Sequence, residues 1–564
     1  ERVEVMRGGG SALFGSSAIA GTINIITKEP LRNSGQLSHT LTALGGGSSF
    51  DNNTSLNASL VTDDHRAGLY IFGQNRHRSG YDYDGDGFTE LPKLKNQTVG
   101  FRSYLKTSTY SKLTFEYHHM QEFRRGGDML DRPPHEAHIA EQLQHSIDGG
   151  SLKFDYFSPD EKNRLSIFAS AANTDRDSYY GPGNDPLKAY GKTTDLTAMG
   201  GAQYVHTFDK CFFMPSDLTA GLEYNRDRLK DNMWGYDRHT DQTVNIYSAF
   251  LQNEWKNDRW GILIGGRLDK HNMVDNVIFS PRANLRFNPT QNINLRLSYS
   301  SGFRAPQAFD EDMHIENVGG TVAMIERAKN LKEEKSQSFS ASADMYHRFG
   351  VFQTNFLIEG FYTRLTDVFV LGEPYDRGDG ILVKPRSNGP GAKVMGLTLE
   401  GKVAYLSILQ IQAGLTLQRS RYDEPHKWHD DAPAEKKIFR TPDTYGYFTA
   451  TYTPIKPLSI ALSGTYTGRM LVQRMDITAE NAELGAMPER KAEAIRTPRF
   501  FDLGVKLAYD FKLYKTVDLQ LNGGVQNLFE SYQKDFDRGA NRDSGYIYGP
   551  SLPRSFFAGV KISY

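Results

Sequence analysis

The densest run of oxygen ligands in the sequence is Asp82-Tyr83-Asp84-Gly85-Asp86-Gly87-Phe88-Thr89-Glu90. Alternate carboxylates followed by glycine let oxygens converge on a hard cation while the backbone turns sharply, which is the chemistry of Ca²⁺ capture. A calcium loop of this pattern closes with a bidentate Glu at its twelfth position. Here that position is Lys93, and Glu90 offers a carboxylate at the ninth. The segment therefore reads either as a Ca²⁺ loop with ligands Asp82, Asp84, Asp86 and Glu90 or as a solvated acidic turn. Imidazoles form a second set: His135 with His138, His426 with His429, and His314 between them in a long polar stretch. Histidine ligates haem iron and divalent cations, but most of the 15 histidines are expected to be ordinary solvated side chains.

Enzyme chemistry finds no such support. The sequence has no Gly-x-Ser-x-Gly elbow, no His-Glu-x-x-His and no Cys-x-x-Cys, so hydrolase, zinc-protease and redox signatures are missing. Cys211 is the single cysteine and can form no intramolecular disulfide. A net charge of -1 excludes the broadly basic surface that neutralises nucleic-acid phosphates. The expectation is a non-enzyme that requires no cofactor.

The elements that must carry these residues are strands. Apolar and polar residues alternate along nearly the whole chain, as in Ile293, Leu295, Leu297 and Tyr299 against Asn294, Arg296, Ser298 and Ser300. Such alternation places one face in an apolar medium and the other in water. Similar faces recur at Leu409 to Gln418, Leu458 to Tyr466 and Val517 to Gly524. Tight turns (Thr62 to Arg66, Ser158 to Asn163, Asn288 to Asn292, Thr453 to Pro457) alternate with long polar excursions. The excursions run from Arg76 to Asn96, Phe123 to Ile147, Arg304 to Lys335, Arg421 to Arg440 and Thr467 to Arg496. Short turns on one rim and long loops on the other are the pattern of an outer-membrane β-barrel.

The chain has 38% hydrophobic residues and no apolar run long enough for a membrane helix, yet it carries 30 Tyr, 33 Phe and 53 Gly. That mixture suits aromatic girdles and many turns. From Gln36 to Tyr564 the pattern gives about 22 strands, a size whose lumen needs a plug. The last segment, with Phe556, Ala558, Val560, Ile562 and Tyr564 on one face, is expected to close the barrel against the first strand. The fold expected is all-β, a transmembrane antiparallel barrel over residues 31–564.

Residues 1–30 break the pattern. Arg7-Gly8-Gly9-Gly10-Ser11-Ala12-Leu13-Phe14-Gly15 leads into Ala18-Ile19-Ala20-Gly21-Thr22-Ile23-Asn24-Ile25-Ile26-Thr27-Lys28, and no Gly-Lys-Ser/Thr closes the glycines into a phosphate loop. The Ile23 to Ile26 run is read as a buried strand. Any secretion signal is expected outside this sequence, which opens at Glu1. The segment resembles the end of the plug of TonB-dependent receptors. Three further stretches are similar to that family: Gly302-Phe303-Arg304-Ala305-Pro306 with Asn330-Leu331-Lys332-Glu333-Glu334-Lys335-Ser336, then Val525-Gln526-Asn527-Leu528-Phe529, then Pro553-Arg554-Ser555-Phe556-Phe557-Ala558-Gly559.

The resemblance implies an outer-membrane receptor that binds a large scarce chelate and imports it when a TonB-type energy complex pulls on the plug. Ferric siderophores come first, haem second and cobalamin third. A surface binding protein that transports nothing is the alternative from another class. In haem receptors of this family a ligating histidine lies between two of these boxes, and His314 holds that place; His135, His138, His426 and His429 would then supply a second contact. Outer-membrane lipid is an implied partner. Whether a surface lipoprotein caps the barrel stays open.

Overall fold

Strong lipid-side alternation should close the sheet, and it does. In the computed structural model, which describes residues 2–7, 10–15, 18–19, 21–182, 189–318, 321–477, 490–540 and 542–564, 22 antiparallel strands form a closed barrel. A three-residue strand, Glu435–Lys437, extends it at one end. The first barrel strand, Ser34–Leu44, pairs with the last, Ser555–Ser563, from Gln36 opposite Ser563 to Leu44 opposite Ser555. No strand edge is left at the seam, as a barrel in lipid requires.

The two faces divide as the sequence implies. Leu297, Leu251 and Leu222 are exposed on the outside, whereas Ser298 and Ser340 share a hydrogen bond of 2.7 Å and buried Thr398 and Thr416 one of 3.0 Å on the inner face. Aromatic pairs mark two belts. Trp260 with Phe287 and Phe352 with Tyr405 lie near the tight turns, and Tyr224 with Tyr247 and Tyr299 with Phe339 lie towards the long loops.

The strands overrun the membrane. Tyr190–Cys211 has 22 residues, about twice what a bilayer demands of a tilted strand. Several excursions are therefore shorter than the sequence suggests: the strand Ala67–Arg78 stops at Arg78 and its neighbour begins at Thr89, and Ser111–Gly127 is followed by Ile139–Phe157. Alternation lapses where neither face meets lipid, although backbone pairing continues. Two sheets stand on the long-loop rim. One comprises Glu316–Val318, Thr321–Arg327, Leu382–Asn388, Phe369–Leu371 and Tyr375–Asp376; the other is the hairpin Leu471–Ile477 with Arg490–Arg496.

At the N-terminus, Arg2–Arg7 pairs antiparallel with Gly21–Ile26, and a four-residue helix, Ser11–Phe14, lies between them. The expected strand at Ile23 to Ile26 forms, but it is not buried: Val3, Val5, Ile23 and Ile25 are 60–69% exposed. In a two-stranded ribbon these alternate residues share one face, and among the described residues nothing covers it. Of the glycine-rich motif, Glu1, Gly8, Gly9, Ser16, Ser17 and Ala20 lie outside the described residues, as does the middle of the Thr467 to Arg496 excursion.

Candidate functional site

The N-terminal segment meets the barrel on its polar inner face. The Ser11–Phe14 helix contacts the strands Trp260–His271, Ile278–Thr290 and Ile293–Arg304. Buried Ser11 accepts the Phe303 backbone N–H at 3.1 Å, and Ser336 Oγ donates to the Ile19 carbonyl at 2.9 Å. Gly302 permits this approach, since a Cβ there would stand 2.7 Å from the Ala18 oxygen. Arg267, fixed by Glu223 at 2.6 Å and Asp269 at 2.8 Å, flanks Gly15, whose φ of +74° suits glycine. Nearer the tight-turn rim, Glu29 pairs with Lys112 at 2.9 Å and Arg102 at 3.6 Å, and Arg102 donates to Thr27.

Above this segment, the stretch from Arg304 to Arg327 is pinned by arginines. The helix Asp310–Met313 carries three acids, and Asp312 accepts the Phe309 N–H at 2.9 Å to start it. Arg176 holds Asp310 at 2.8 Å, Arg386 holds Glu311 at 2.5 Å and Asp312 at 2.8 Å, and Arg304 reaches Glu311 at 2.6 Å while stacking over Phe309. Arg238 bonds Asp231 at 2.8 Å and the Met313 carbonyl at 3.0 Å. Gln242 Oε1 accepts from Ala308 N–H at 2.8 Å and Arg327 at 2.9 Å. Beneath the helix lies a recess of about 350 Å³ lined by His145, Arg176, Asp195, Asp227 and Phe309. These arginines were not legible as a set, because they come from five separate strands or loops; only Arg304 stood in a recognisable box.

Three of the five candidate histidines gather at one collar. Buried Tyr179, Tyr180, Met233, Tyr236, Ile315 and Met324 form an apolar cluster at the mouth. His314 is 43% exposed in its side chain, stands edge-on to Tyr180 at 5.2 Å and puts Nε2 3.6 Å from Glu141. His135 shares a 2.9 Å hydrogen bond with Tyr190, which packs on Tyr179. His138 meets Asp128 at 2.6 Å. His426 and His429 belong to another loop: His426 lies near Tyr422, and His429 near Trp428 and Asp431. Burial depresses the basicity of His426.

The acidic loop is compact. Asp82, Asp84 and Asp86 bring ligand oxygens within 4.8 Å of one another, the one such group of three among the described residues. Asp82 accepts the Gly85 N–H at 2.7 Å and the Gly87 N–H at 2.8 Å. Glu90 is buried and turned to the protein, accepting the Tyr83 N–H at 2.6 Å and pairing with Arg542 at 3.1 Å. Arg538 pairs with Asp84 at 2.9 Å, and Arg542 with Asp86 at 2.5 Å. Burial pushes the Asp86 carboxyl up, but the amides of Gly539 and Phe88 and the Arg542 guanidinium outweigh it and hold it below its ordinary range. Nothing in the local spacing points to the two arginines, which lie 454 and 456 residues from Asp84 and Asp86 in the chain.

The family model described as "TonB dependent receptor-like, beta-barrel" matches residues 22–528. An iron-regulated outer membrane virulence protein of Vibrio cholerae serotype O1 is 26% identical over 319 residues, 54% of this chain and 44% of that protein. The match thus spans less than half the length of that relative. The siderophore receptor PirA from Acinetobacter baumannii superposes with a TM-score of 0.77 at 16% identity, over all of this chain and 85% of that one. A mutant ferric enterobactin receptor from Pseudomonas aeruginosa, in complex with enterobactin, gives 0.75 at 17% identity, over all of this chain and 86% of its own. At these identities the likeness is one of fold.

Proposed function

This chain belongs to the TonB-dependent receptor-like β-barrel family, and on that premise we propose that it captures a large iron chelate at the cell surface for energy-coupled import. It is an outer-membrane protein. One observation carries the proposal: the N-terminal segment is hydrogen-bonded to the polar inner wall, and the Asp310–Met313 stretch is pinned by arginines from separate strands. A passive pore has no use for either. In this reading residues 1–30 are the end of a plug, and a TonB-type complex moves it.

The solute we favour is a ferric siderophore, in keeping with the names of the structural neighbours. Haem is the second reading, favoured by His314 at the collar, where an exposed imidazole beside Glu141 stands among tyrosines. Ca²⁺ is proposed as an ordering ion for the Asp82 to Glu90 loop. Its four carboxylates face two guanidinium groups, which leaves a charge that one divalent cation would neutralise.

The test is an equilibrium titration of the purified protein with a ferric catecholate, haemin and cobalamin, followed by visible absorbance and protein fluorescence, with His314→Ala alongside. Tight binding of the ferric catecholate, unchanged in the variant, is expected. A Soret shift lost in His314→Ala would move the assignment to haem, and binding of cobalamin alone would sink the iron reading.

A further inference from the structure

The outer surface of the barrel carries a trough that the solute path does not use. On the lipid side, Leu297 faces Ala341, Ala341 faces Gly360, Gly360 faces Leu397 and Leu397 faces Leu417 across five adjacent strands. Ala341 and Gly360 are small where their neighbours are large. A Cβ placed on Gly360 would meet nothing within 4 Å. The result is an apolar depression of about 1150 Å³ bordered by Tyr299, Phe339 and Met395.

A row of cations stands over it on the long-loop side. Arg419 lies opposite Met395, Arg421 opposite Lys393, and Lys393 opposite Arg364. Along Leu409–His426 the outward residues are Ile411, Ala413, Leu415 and Leu417, then Arg419 and Arg421. A tilted strand needs about 9–11 residues to cross the lipid-facing band, and Leu409 to Leu417 already takes up nine, so both arginines emerge at the outer-leaflet headgroups. Asp423 is the counterion of its neighbours, 2.5 Å from Arg364 and 3.1 Å from Lys393. Arg419 and Arg421 are exposed and have no ion pair or side-chain hydrogen bond among the described residues.

We propose that this face binds a phosphorylated lipid of the outer leaflet, with an acyl chain along the Ala341 and Gly360 trough and a headgroup phosphate held by Arg419, Arg421 and Lys393. Charge complementarity selects the occupant. Four cations against one carboxylate leave excess positive charge at the headgroup level, which an anionic lipid matches and a zwitterionic one does not. The guanidinium fork takes phosphate oxygens in pairs, and the wall beneath it offers acyl chains a recess rather than a ridge. The site is independent of what the lumen carries.

Binding is to be measured on the purified, delipidated protein with diphosphorylated lipid A, the same lipid dephosphorylated, and inorganic phosphate as competitor. The wild type should prefer the phosphorylated lipid, and inorganic phosphate should not displace it. Arg419→Gln with Arg421→Gln should lower the affinity about tenfold or more. Gly360→Leu, which fills the trough without touching a charge, should lower it too. Equal affinity for the dephosphorylated lipid, displacement by inorganic phosphate, or unchanged affinity in both variants would each overturn the proposal. Retention of heat-modifiable electrophoretic mobility confirms that a variant is folded, and the two wild-type comparisons need no variant.

Discussion

Arg542 and Asp86 are 456 residues apart in the chain and 2.5 Å apart in space. The same guanidinium reaches Glu90 at 3.1 Å and lies over Phe88, while Arg538 pairs with Asp84 and Gly539 N–H donates to Asp86 at 2.7 Å. Tyr83 packs between Tyr532 and Phe536. The loop before the strand Thr89–Ser108 is thereby fastened to the loop before Ser555–Ser563. These two loops flank the seam where the first and last strands meet, so the latch braces the closure from above.

Removing Arg542 should open that latch. Arg542→Ala leaves the buried Glu90 carboxylate without its cation, and loss of one partner from a buried pair costs about 3–5 kcal/mol. Hydrogen exchange in residues 79–91 and 527–554 should quicken by two orders of magnitude or more, with strand protection unchanged. Unaltered loop protection would show that the aromatic contacts of Tyr83 suffice.

Acid should loosen the same contact. Because Asp86 titrates below its ordinary range in the folded protein, its contribution to latch stability is present above the unfolded value of about 3.9 and is lost as pH falls through the lower folded value. Loop protection is expected to hold from neutrality down to about pH 5 and to fall below about pH 4. Asp86→Asn should remove that step, and a step that survives in Asp86→Asn belongs to another group.

The proposed Ca²⁺ would act on the charge that the arginines leave unbalanced. Millimolar Ca²⁺ should slow exchange in residues 79–90, chelation should reverse it, and Asp82→Asn should abolish the response. Asp82 is the informative position because its oxygens are met by backbone amides and by no guanidinium. A loop indifferent to Ca²⁺ would leave Arg538 and Arg542 as its whole complement of countercharge.

What the sequence displayed and what it concealed divide along one physical line. Lipid on one face and water on the other impose a period of two, so residues such as Leu295 and Leu297 declare their strand, its inward neighbours Arg296 and Ser298, and the seam partner of Phe556. Beyond the bilayer that constraint lapses. The rim sheet through Thr321–Arg327 and Leu382–Asn388 is parallel and joins segments 59 residues apart, from Ala323 to Leu382, and no local pattern announces it. Asp82, Asp84 and Asp86 were visible as ligands, but their arginines were not, since long-range pairing leaves no trace in spacing. His135 and His314 stand apart in the sequence; that His314 lies against Tyr180, and His135 against Tyr190 beside Tyr179, required the fold. The outward row of Arg364, Lys393 and Arg421 likewise exists only once the strand register is known.

On the proposed reading, the contact between the N-terminal segment and the wall gates the lumen, and two substitutions separate its parts. Ser11→Ala removes the acceptor of the buried Phe303 N–H, at a cost of about 1–3 kcal/mol, and should speed exchange of that amide by about tenfold or more while strands elsewhere keep their protection. Gly302→Val is more severe, because the new Cβ would stand 2.7 Å from the Ala18 oxygen and 3.0 Å from the Ile19 Cα, and backbone cannot yield as a side-chain tip does. That variant should displace the segment, break the Ser336 to Ile19 bond and give measurable ion conductance in a planar bilayer where the wild type gives little. Faster Phe303 exchange without conductance would mean that the Asp310–Met313 stretch alone seals the lumen. Slow exchange and no conductance in both variants would mean that the segment is held by its flanks, through Glu29 with Lys112 and Arg102, and that the gate must be sought there.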